Sequence, residues 1–324
     1  MKKAVLTTGI ACFAILFLVI GCKKNSSLST TDEATLSTQV SQNAVDQTTI
    51  ENDNDAIATD ATKATETVPG FNSSNKVTGL FGSPADSTKD SLSCPWFVID
   101  RSPIAKGFRR MVLRYRGMFE TDRNILKRGR ITLQLVNGTK WTDVGAVILE
   151  TDSVAVTRNG NTRIYQGTRY LTNVSGGYFN LKDTAHNPFV FTMHANGSVT
   201  FEDGTVRTYW IARRNTFSKA VPYTFTTNGD TTVNASLCTM GGTTRFGKTF
   251  LVQSPQAISS STQFGYAKPT QGVRILNYNG VEPVTIVYGV NALGNQVASG
   301  VLPFGYKITW TKLSGQTGEK IISY

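Results

Sequence analysis

The sequence predicts an all-β fold in which antiparallel strands follow one another as a meander of hairpins. Apolar and polar residues alternate with a period of two from residue 94 onward, which is the pattern of strands that bury one face. Turn dipeptides such as Asn-Gly and Asp-Gly recur between these segments. We find no ten-residue window with a clean helical stripe. The pattern is compatible with a sandwich, a barrel-like closure or a long curved sheet.

The strand predictions follow this alternation along the chain. Ile131, Leu133 and Leu135 share one face of a strand that ends at the turn Asn137-Gly138. A further turn is predicted at Asn159-Gly160. The remaining candidate strands cover residues 108–116, 146–156, 164–171, 206–213, 248–254, 273–277, 284–290 and 306–310.

The clearest predicted unit is a pair of hairpins that share a strand. Phe189 and Met193 lie on one face of its first strand. We expect the chain to turn at Asn196-Gly197 and again at Asp203-Gly204, because both dipeptides accept the positive φ angles of two-residue turns. A third strand then follows.

Residues 1–21 have the pattern of an export signal. Lys2 and Lys3 precede an apolar run that reaches Ile20. Residues 19–22, Val-Ile-Gly-Cys, resemble a lipobox, which implies cleavage before Cys22 and attachment of lipid, with acyl chains such as palmitate, to that cysteine. The alternative is an uncleaved membrane anchor, although the segment is short for a spanning helix. We expect an outer-membrane lipoprotein that faces the periplasm, with the cell surface as the alternative location.

Residues 22–75 predict a disordered stalk behind the lipidated cysteine. From residue 25 to residue 75 the chain is largely Ser, Thr, Asn, Asp and Ala, with eight acidic residues, one lysine and no apolar periodicity. Such a segment buries too little apolar surface to offset its ordering entropy. A random coil of this length spans roughly 40 Å. We therefore expect it to hold the third region, a basic all-β domain of residues 76–324, clear of the membrane.

The predicted domain is strongly basic, with 28 Lys and Arg against 14 Asp and Glu. Its densest part, residues 101–130, has ten basic and two acidic side chains. Period-two alternation there places Arg110, Arg114 and Arg116 along one side of a strand. Because arginine binds phosphate and carboxylate in a bidentate manner, these three are candidate anion-binding residues. The alternative is a solvated face that pairs with cross-strand acids.

The predicted domain contains two cysteines, Cys94 and Cys238. An even number in an oxidising compartment predicts a disulfide bond between them, with two buried thiols as the alternative. By the chain-entropy model, so long a closed loop would stabilise the fold by up to about 5 kcal/mol.

The sequence offers few residues for catalysis. His186 and His194 do not lie in a metal-ligand spacing, and we find neither a Gly-x-Ser-x-Gly elbow nor a phosphate-binding loop. Glu150 and Asp152 project to one face of a strand and are a carboxylate pair to weigh for glycoside cleavage. The sequence favours a protein that is not an enzyme, without a metal or other cofactor. Four tryptophans, which are either core residues or a stacking platform for sugars, are Trp96, Trp141, Trp210 and Trp310.

Several motifs resemble those of an uncharacterised lipoprotein family of Bacteroidota. They are residues 127–133 (KRGRITL), 165–169 (YQGTR), 171–173 (LTN), 197–205 (GSVTFEDGT) and 213–216 (RRNT). The likeness covers about residues 94–310 and implies an all-β lipoprotein with arginine-rich strands and Asp-Gly turns, but no assigned function. Members often carry Cys-Asp-Asn after a Tyr-Gly, whereas no cysteine follows Tyr288-Gly289 here. The resemblance therefore implies no partner for Cys94.

These observations leave three functional hypotheses. The first is a non-enzymatic binding or structural domain, anchored to the membrane by lipid, whose basic face binds anionic glycolipid or polysaccharide rather than a specific nucleic acid. The second is a hydrolase that acts on envelope glycans through Glu150 and Asp152. The third is a small outer-membrane barrel, suggested by the alternating strands.

Overall fold

The computed structural model describes one helix and 14 strands. The described residues are 30–67, 97–100, 109–120, 124–179, 183, 185–232, 237–261, 263–264, 268–278, 281–312 and 314–324. Among them, no helix combines the length and the apolar character that crossing a bilayer requires. The elements are α1 (Thr30–Thr67), β1 (Phe97–Asp100), β2 (Arg109–Glu120), β3 (Ile125–Asn137), β4 (Val147–Arg158), β5 (Asn161–Asn173), β6 (Phe189–Thr200), β7 (Val206–Ser218), β8 (Thr224–Gly229), β9 (Cys238–Thr243), β10 (Thr249–Ser261), β11 (Pro269–Tyr278), β12 (Val281–Val290), β13 (Gly305–Thr311) and β14 (Thr317–Ser323).

All 14 strands belong to one antiparallel sheet, so the predicted all-β meander is confirmed. Neighbouring strands in the sheet follow the chain order, except at β8 and β9. These two short strands share one position between β7 and β10: β8 pairs with residues 213–218 of β7, and β9 pairs with residues 208–211. The sheet therefore has 13 strand positions.

Three of the predicted turns are confirmed and one is wrong. Asn137-Gly138 lies at the end of β3, Asn159-Gly160 joins β4 to β5, and Asp203-Gly204 joins β6 to β7. Asn159 and Gly160 have φ angles of 51° and 81°, as a two-residue primed turn requires. Asn196-Gly197, by contrast, lies inside β6, which continues to Thr200.

Gly197 is part of a strand because its missing side chain leaves room for an aromatic ring. It pairs with Gly167 of β5 and with Tyr209 of β7. A Cβ atom on Gly197 would lie 2.8 Å from the Tyr209 hydroxyl oxygen, closer than real contacts allow. That hydroxyl donates to Asn54 Oδ1 of α1 at 3.2 Å. The missing side chain at Gly197 therefore allows Tyr209 to connect the sheet to the helix.

Residues 30–67, which the sequence predicted to be part of a disordered stalk, form the 38-residue helix α1. That prediction was wrong because it looked only for an apolar stripe. The three successive residues Asp46, Gln47 and Thr48 are at most 2% exposed, and three successive residues cover about 200° of a helix circumference. A helix buried around so much of its circumference needs a partner surface that matches its polarity, not an apolar stripe.

The sheet curls around α1. Residues 51–55 of the helix rise about 6 Å along its axis, yet they contact strands from β4 to β11. Those two strands are six positions apart in the sheet, which at the usual strand spacing is about 29 Å. So short a piece of helix reaches across that width only if the sheet is curved, with α1 on its concave side. The prediction of a long curved sheet thus describes the structure better than a sandwich does.

Ion pairs hold α1 along its length. Arg245 binds Asp46 with two nitrogens, at 2.7 and 2.6 Å. Arg213 contacts both Glu51 and Asp55 at 3.0 Å. The other polar contacts between helix and sheet include Gln47 with Arg207, Thr48 with Tyr288, Glu51 with Arg274, Asp53 with Arg158 and Tyr165, Asn54 with Arg169, and Asp60 with Lys127 and Tyr115.

Apolar residues fill the space between these ion pairs. Ile50 and Ile57 of α1 are fully buried and belong to the same core cluster as Leu133 and Phe191 of the sheet. Small residues such as Ala61, also fully buried, let the helix approach the strands closely. The concave face is therefore a mixed surface on which apolar and charged positions both match the helix.

Replacing Arg213 by Met tests whether the fold depends on the ion pairs. Arg213 is fully buried, and its removal leaves Glu51 and Asp55 without the cation they share, which for buried pairs costs roughly 3–5 kcal/mol. We expect a large fall in the thermal unfolding midpoint. Arg214→Met is the matched control, because Arg214 is the next residue of β7 and only partly buried. Equal midpoints for the two variants would contradict this account.

Candidate anion-binding face

Strand β2 carries the three arginines that the sequence predicted to bind anions. Arg110, Arg114 and Arg116 are exposed, while Met111 and Leu113 are at most 1% exposed and belong to the core. Because side chains alternate along a strand, the arginines lie on the convex, outward face of the sheet. Their position is as predicted, and anion binding by them remains a prediction.

Two further arginines extend this outward face onto β3. Arg130 lies opposite Arg114, and Arg128 lies opposite Arg116; both are exposed. Opposite residues of antiparallel strands have Cα atoms about 5 Å apart and point to the same side. The five residues Arg110, Arg114, Arg116, Arg128 and Arg130 are called the arginine face below.

Sequence reasoning missed the contribution of β3 because alternation alone does not give the register between strands. The available signal was that residue 130 alternates with the apolar residues 131, 133 and 135, within the basic segment 101–130. The register of β2 against β3 is what places arginine opposite arginine. Like charges on directly opposite residues destabilise a sheet. The stability of the strand pairing therefore does not explain why arginine lies opposite arginine here.

Few acids lie beside the arginine face. The β4 residues in register with Arg128 and Arg130 are Ala155 and Ser153. At the described positions of β3 to β5, the residues that share this outward face include no acid. On that side of the arginine face, cross-strand acids therefore do not supply the neutralisation that the alternative requires.

Gly117 makes room for Arg128, one of the five residues of the arginine face. It has a φ of 70° and sits at the register shift that follows Arg116 in β2, which marks a β-bulge. A Cβ atom there would lie 3.0 Å from Arg128 Nε. The absence of a side chain at Gly117 thus lets the Arg128 side chain lie against the strand.

Several basic side chains of the domain face inward, and the net charge alone could not show their direction. Lys127 belongs to the basic segment 101–130, yet it is 1% exposed and binds Asp60 and Glu120. The outward field is therefore weaker than the count of basic residues implies. The described inward or helix-bound basic residues include Lys127, Arg158, Arg169, Arg207, Arg213, Arg245 and Arg274.

Glu150 and Asp152, the carboxylates weighed for glycoside cleavage, lie inside the protein. They are 0% and 6% exposed, and they contact Arg169 Nη1 at 2.5 and 2.6 Å. Burial raises the pKa of Glu150 to about 7 against the attraction of Arg169, and the charge of Asp152 adds to the rise. Since Arg169 also binds Asn54 of α1 at 2.5 Å, the pair is part of the contact between sheet and helix. The geometry does not support its use on a substrate.

The predicted cysteine sites are only partly within the described residues. Cys22 and Cys94 lie outside them, so lipid attachment and the disulfide bond with Cys238 stay predictions. Cys238 begins β9 and is 1% exposed.

The two histidines each contact an acid: His186 Nδ1 lies 3.0 Å from Asp183, and His194 Nε2 lies 2.7 Å from Asp230. In the part of the chain that the structure describes, no group of three or more His, Cys, Asp and Glu side chains is arranged to hold a metal ion.

The tryptophans have separate positions. Trp141 is fully buried. Trp310 donates its Nε1 hydrogen to Ser37 Oγ of α1 at 3.4 Å. Trp210 is partly exposed on the outward face of β7, and Trp96 lies outside the described residues. The expectation of core residues thus holds for Trp141, and Trp210 is in a position to meet a ligand.

No family model, curated protein or solved structure matches this chain. The resemblance to lipoproteins of Bacteroidota therefore rests on the motifs alone. What the protein does has to be argued from the arginine face and from the packing of α1.

The raised pKa of Glu150 predicts a pH dependence of stability. A carboxyl group whose pKa is higher in the folded state favours folding at low pH, and that contribution is lost as pH rises from the unfolded value of 4.5 through about 7. Glu150→Gln removes the titration while keeping an acceptor for Arg169. We expect this variant to gain roughly 1–3 kcal/mol relative to the native protein between pH 5 and pH 8, as measured by denaturant unfolding.

Glu319→Gln, at an exposed position of β14, is the matched control and should show no such trend. If the difference between Glu150→Gln and the native protein does not change with pH, Glu150 does not titrate in this range.

Proposed function

We propose that this protein is a non-enzymatic envelope lipoprotein, anchored by Cys22, that binds anionic glycolipid or polysaccharide through the arginine face. The observation that carries the proposal is the presence of five exposed arginines on two neighbouring strands, with Arg114 opposite Arg130 and Arg116 opposite Arg128, and with no acid at the described outward positions of β3 to β5.

The spacing of the arginine face suits a ligand that repeats its negative charge. Alternate residues of a strand are about 7 Å apart, and opposite residues of two antiparallel strands about 5 Å. Each guanidinium can bind a phosphate or carboxylate with two parallel hydrogen bonds. A small anion would occupy one or two arginines, whereas a polymer or a layer of headgroups engages several. This supports a glycan or glycolipid over a small metabolite.

The folding of α1 changes the expected distance from the membrane. Eight residues lead from Cys22 to Thr30, where α1 begins, and eight residues span at most about 28 Å. With Cys22 lipidated, this short tether replaces the longer stalk that we predicted from the sequence. Anionic headgroups of the same membrane are then the ligands nearest to the domain, which supports the glycolipid part of the proposal.

Mass spectrometry of the mature amino terminus tests the anchor. We expect the chain to begin at Cys22 and to carry the mass of a diacylglycerol thioether and further acylation, because residues 19–22 resemble a lipobox. Cys22→Ser should move the protein out of the membrane fraction. An unmodified thiol at Cys22, or a chain that keeps residues 1–21, would exclude this anchor.

Replacing three arginines tests the ligand. In the full chain carrying Cys22→Ser, we expect Arg114→Gln, Arg128→Gln and Arg130→Gln together to weaken binding roughly 100-fold, at about 1 kcal/mol for each arginine. Binding should be measured at low and high salt, with lipopolysaccharide as one probe and soluble polygalacturonate as the other. Binding of the native face should weaken as salt rises.

A control with the same loss of charge separates the arginine face from general electrostatics. Arg214→Gln, Lys248→Gln and Lys320→Gln remove three positive charges elsewhere in the described structure. Equal weakening in both triple variants, or no binding of either probe at low salt, would refute the proposed role. Binding of lipopolysaccharide alone would identify the glycolipid as the ligand.

A further inference from the structure

We propose that a cleft on the outward face of β5, β6 and β7 binds a neutral, pyranose-containing carbohydrate. The cleft has a volume of about 320 Å³ and lies among Tyr170, His194, Asn196, Trp210 and Ala212. Small-molecule pockets usually measure about 300–1,000 Å³. The site is separate from the arginine face, which is on β2 and β3, and the inference does not rest on the function proposed for that face.

Trp210 presents a flat aromatic surface because its cross-strand partner is glycine. Trp210 pairs with Gly241 of β9. A Cβ atom on Gly241 would lie 2.6, 2.7 and 2.7 Å from three adjacent atoms of the indole. Such nearly equal distances mean that one face of the ring covers Gly241. The indole therefore lies along the sheet, and its opposite face is turned away from the sheet backbone.

Tyr170 supplies a second aromatic ring, which is 46% exposed. Tyr170 lies opposite His194, and Trp210 lies opposite Asn196, on the two sides of β6. The two aromatic residues are thus two strands and two positions apart, about 12 Å between Cα atoms. The C–H face of a pyranose packs against the electron-rich face of an aromatic ring. Two rings at this separation can each receive one unit of a short oligosaccharide.

The polar residues between the rings are suited to hydroxyl groups. Asn196 is exposed between Tyr170 and Trp210 and carries both a donor and an acceptor. His194 Nε2 lies 2.7 Å from Asp230 Oδ2, and Asp230 is itself 1% exposed and bound to Thr232. This contact fixes the orientation of the imidazole, whose second nitrogen can bond a ligand hydroxyl.

The charge of the cleft favours a neutral ligand. Among the described residues that line it there is no Lys, Arg, Asp or Glu, and the acid behind His194 is buried. Two aromatic faces with an amide and an oriented imidazole match the alternating apolar and hydroxyl surfaces of a sugar. A phosphorylated or carboxylated glycan would meet no cationic side chain among these described lining residues.

Calorimetric titration of the full chain carrying Cys22→Ser tests the cleft, with cellohexaose, maltohexaose and the hexamer of N-acetylglucosamine as probes. We expect at least one to bind, with an affinity that does not depend on salt. Tyr170→Ala and Asn196→Ala should each weaken that binding roughly tenfold, and Trp210→Ala should do the same or more. Tyr170 and Asn196 are exposed, so their variants should keep the thermal midpoint even if Trp210→Ala does not.

Phe304→Ala is the matched control, because Phe304 is also 46% exposed but lies between β12 and β13. The Phe304→Ala variant should bind the hexamer with the same affinity as the native protein. The triple variant of the arginine face should do so as well. The inference is overturned if none of the three hexamers binds, if Tyr170→Ala binds as well as the native protein, or if high salt abolishes binding.

Discussion

The structure depends on the pairing of an acidic helix with a basic concave sheet. Buried charges are costly unless each meets a partner, and here acids of α1 such as Asp46, Glu51 and Asp53 are bound by arginines of the sheet. Neither part is suited to exist alone. A helix rich in Thr, Asn and Asp is weak in water, and a sheet without it would leave several cations buried without acids. Helix and sheet therefore form one folding unit.

This pairing also separates two groups of basic residues. Those that face inward are occupied by α1 and by the buried acids of the sheet, whereas the arginine face points to solvent on the opposite side of β2 and β3. Lys127 and Arg128 are neighbours in the chain with different roles, because alternation turns one to Asp60 and the other outward. The outward group is the one available to a ligand, and the inward group explains much of the net charge.

Period-two alternation and turn chemistry were sufficient to predict the fold class, most strands and three turns, since these are local properties. They failed where the local structure depends on contacts between residues that are far apart in the sequence. Asn196-Gly197 has the composition of a turn, but it lies inside β6, where Gly197 leaves room for the ring of Tyr209 on the neighbouring strand. Glu150 and Asp152 were weighed as a catalytic pair, but they are buried against Arg169, which also binds α1. The sequence did not predict helix α1, because many of the side chains that the helix buries are polar and they form no apolar stripe. Its signal was present as eight acids in a segment that precedes a domain with 28 basic residues, but charge complementarity alone gives neither secondary structure nor register.

Hydrogen exchange of the backbone amides of residues 40–62 tests the central claim most directly. If α1 is enclosed by the sheet, these amides exchange as slowly as those of β4 to β7 and become exposed only when the whole domain unfolds. The experiment is done on the full chain carrying Cys22→Ser, with β4 to β7 as the internal reference. Exchange of residues 40–62 at the rate of an unstructured peptide, while β4 to β7 stay protected, would contradict the account and return this segment to the role of a stalk.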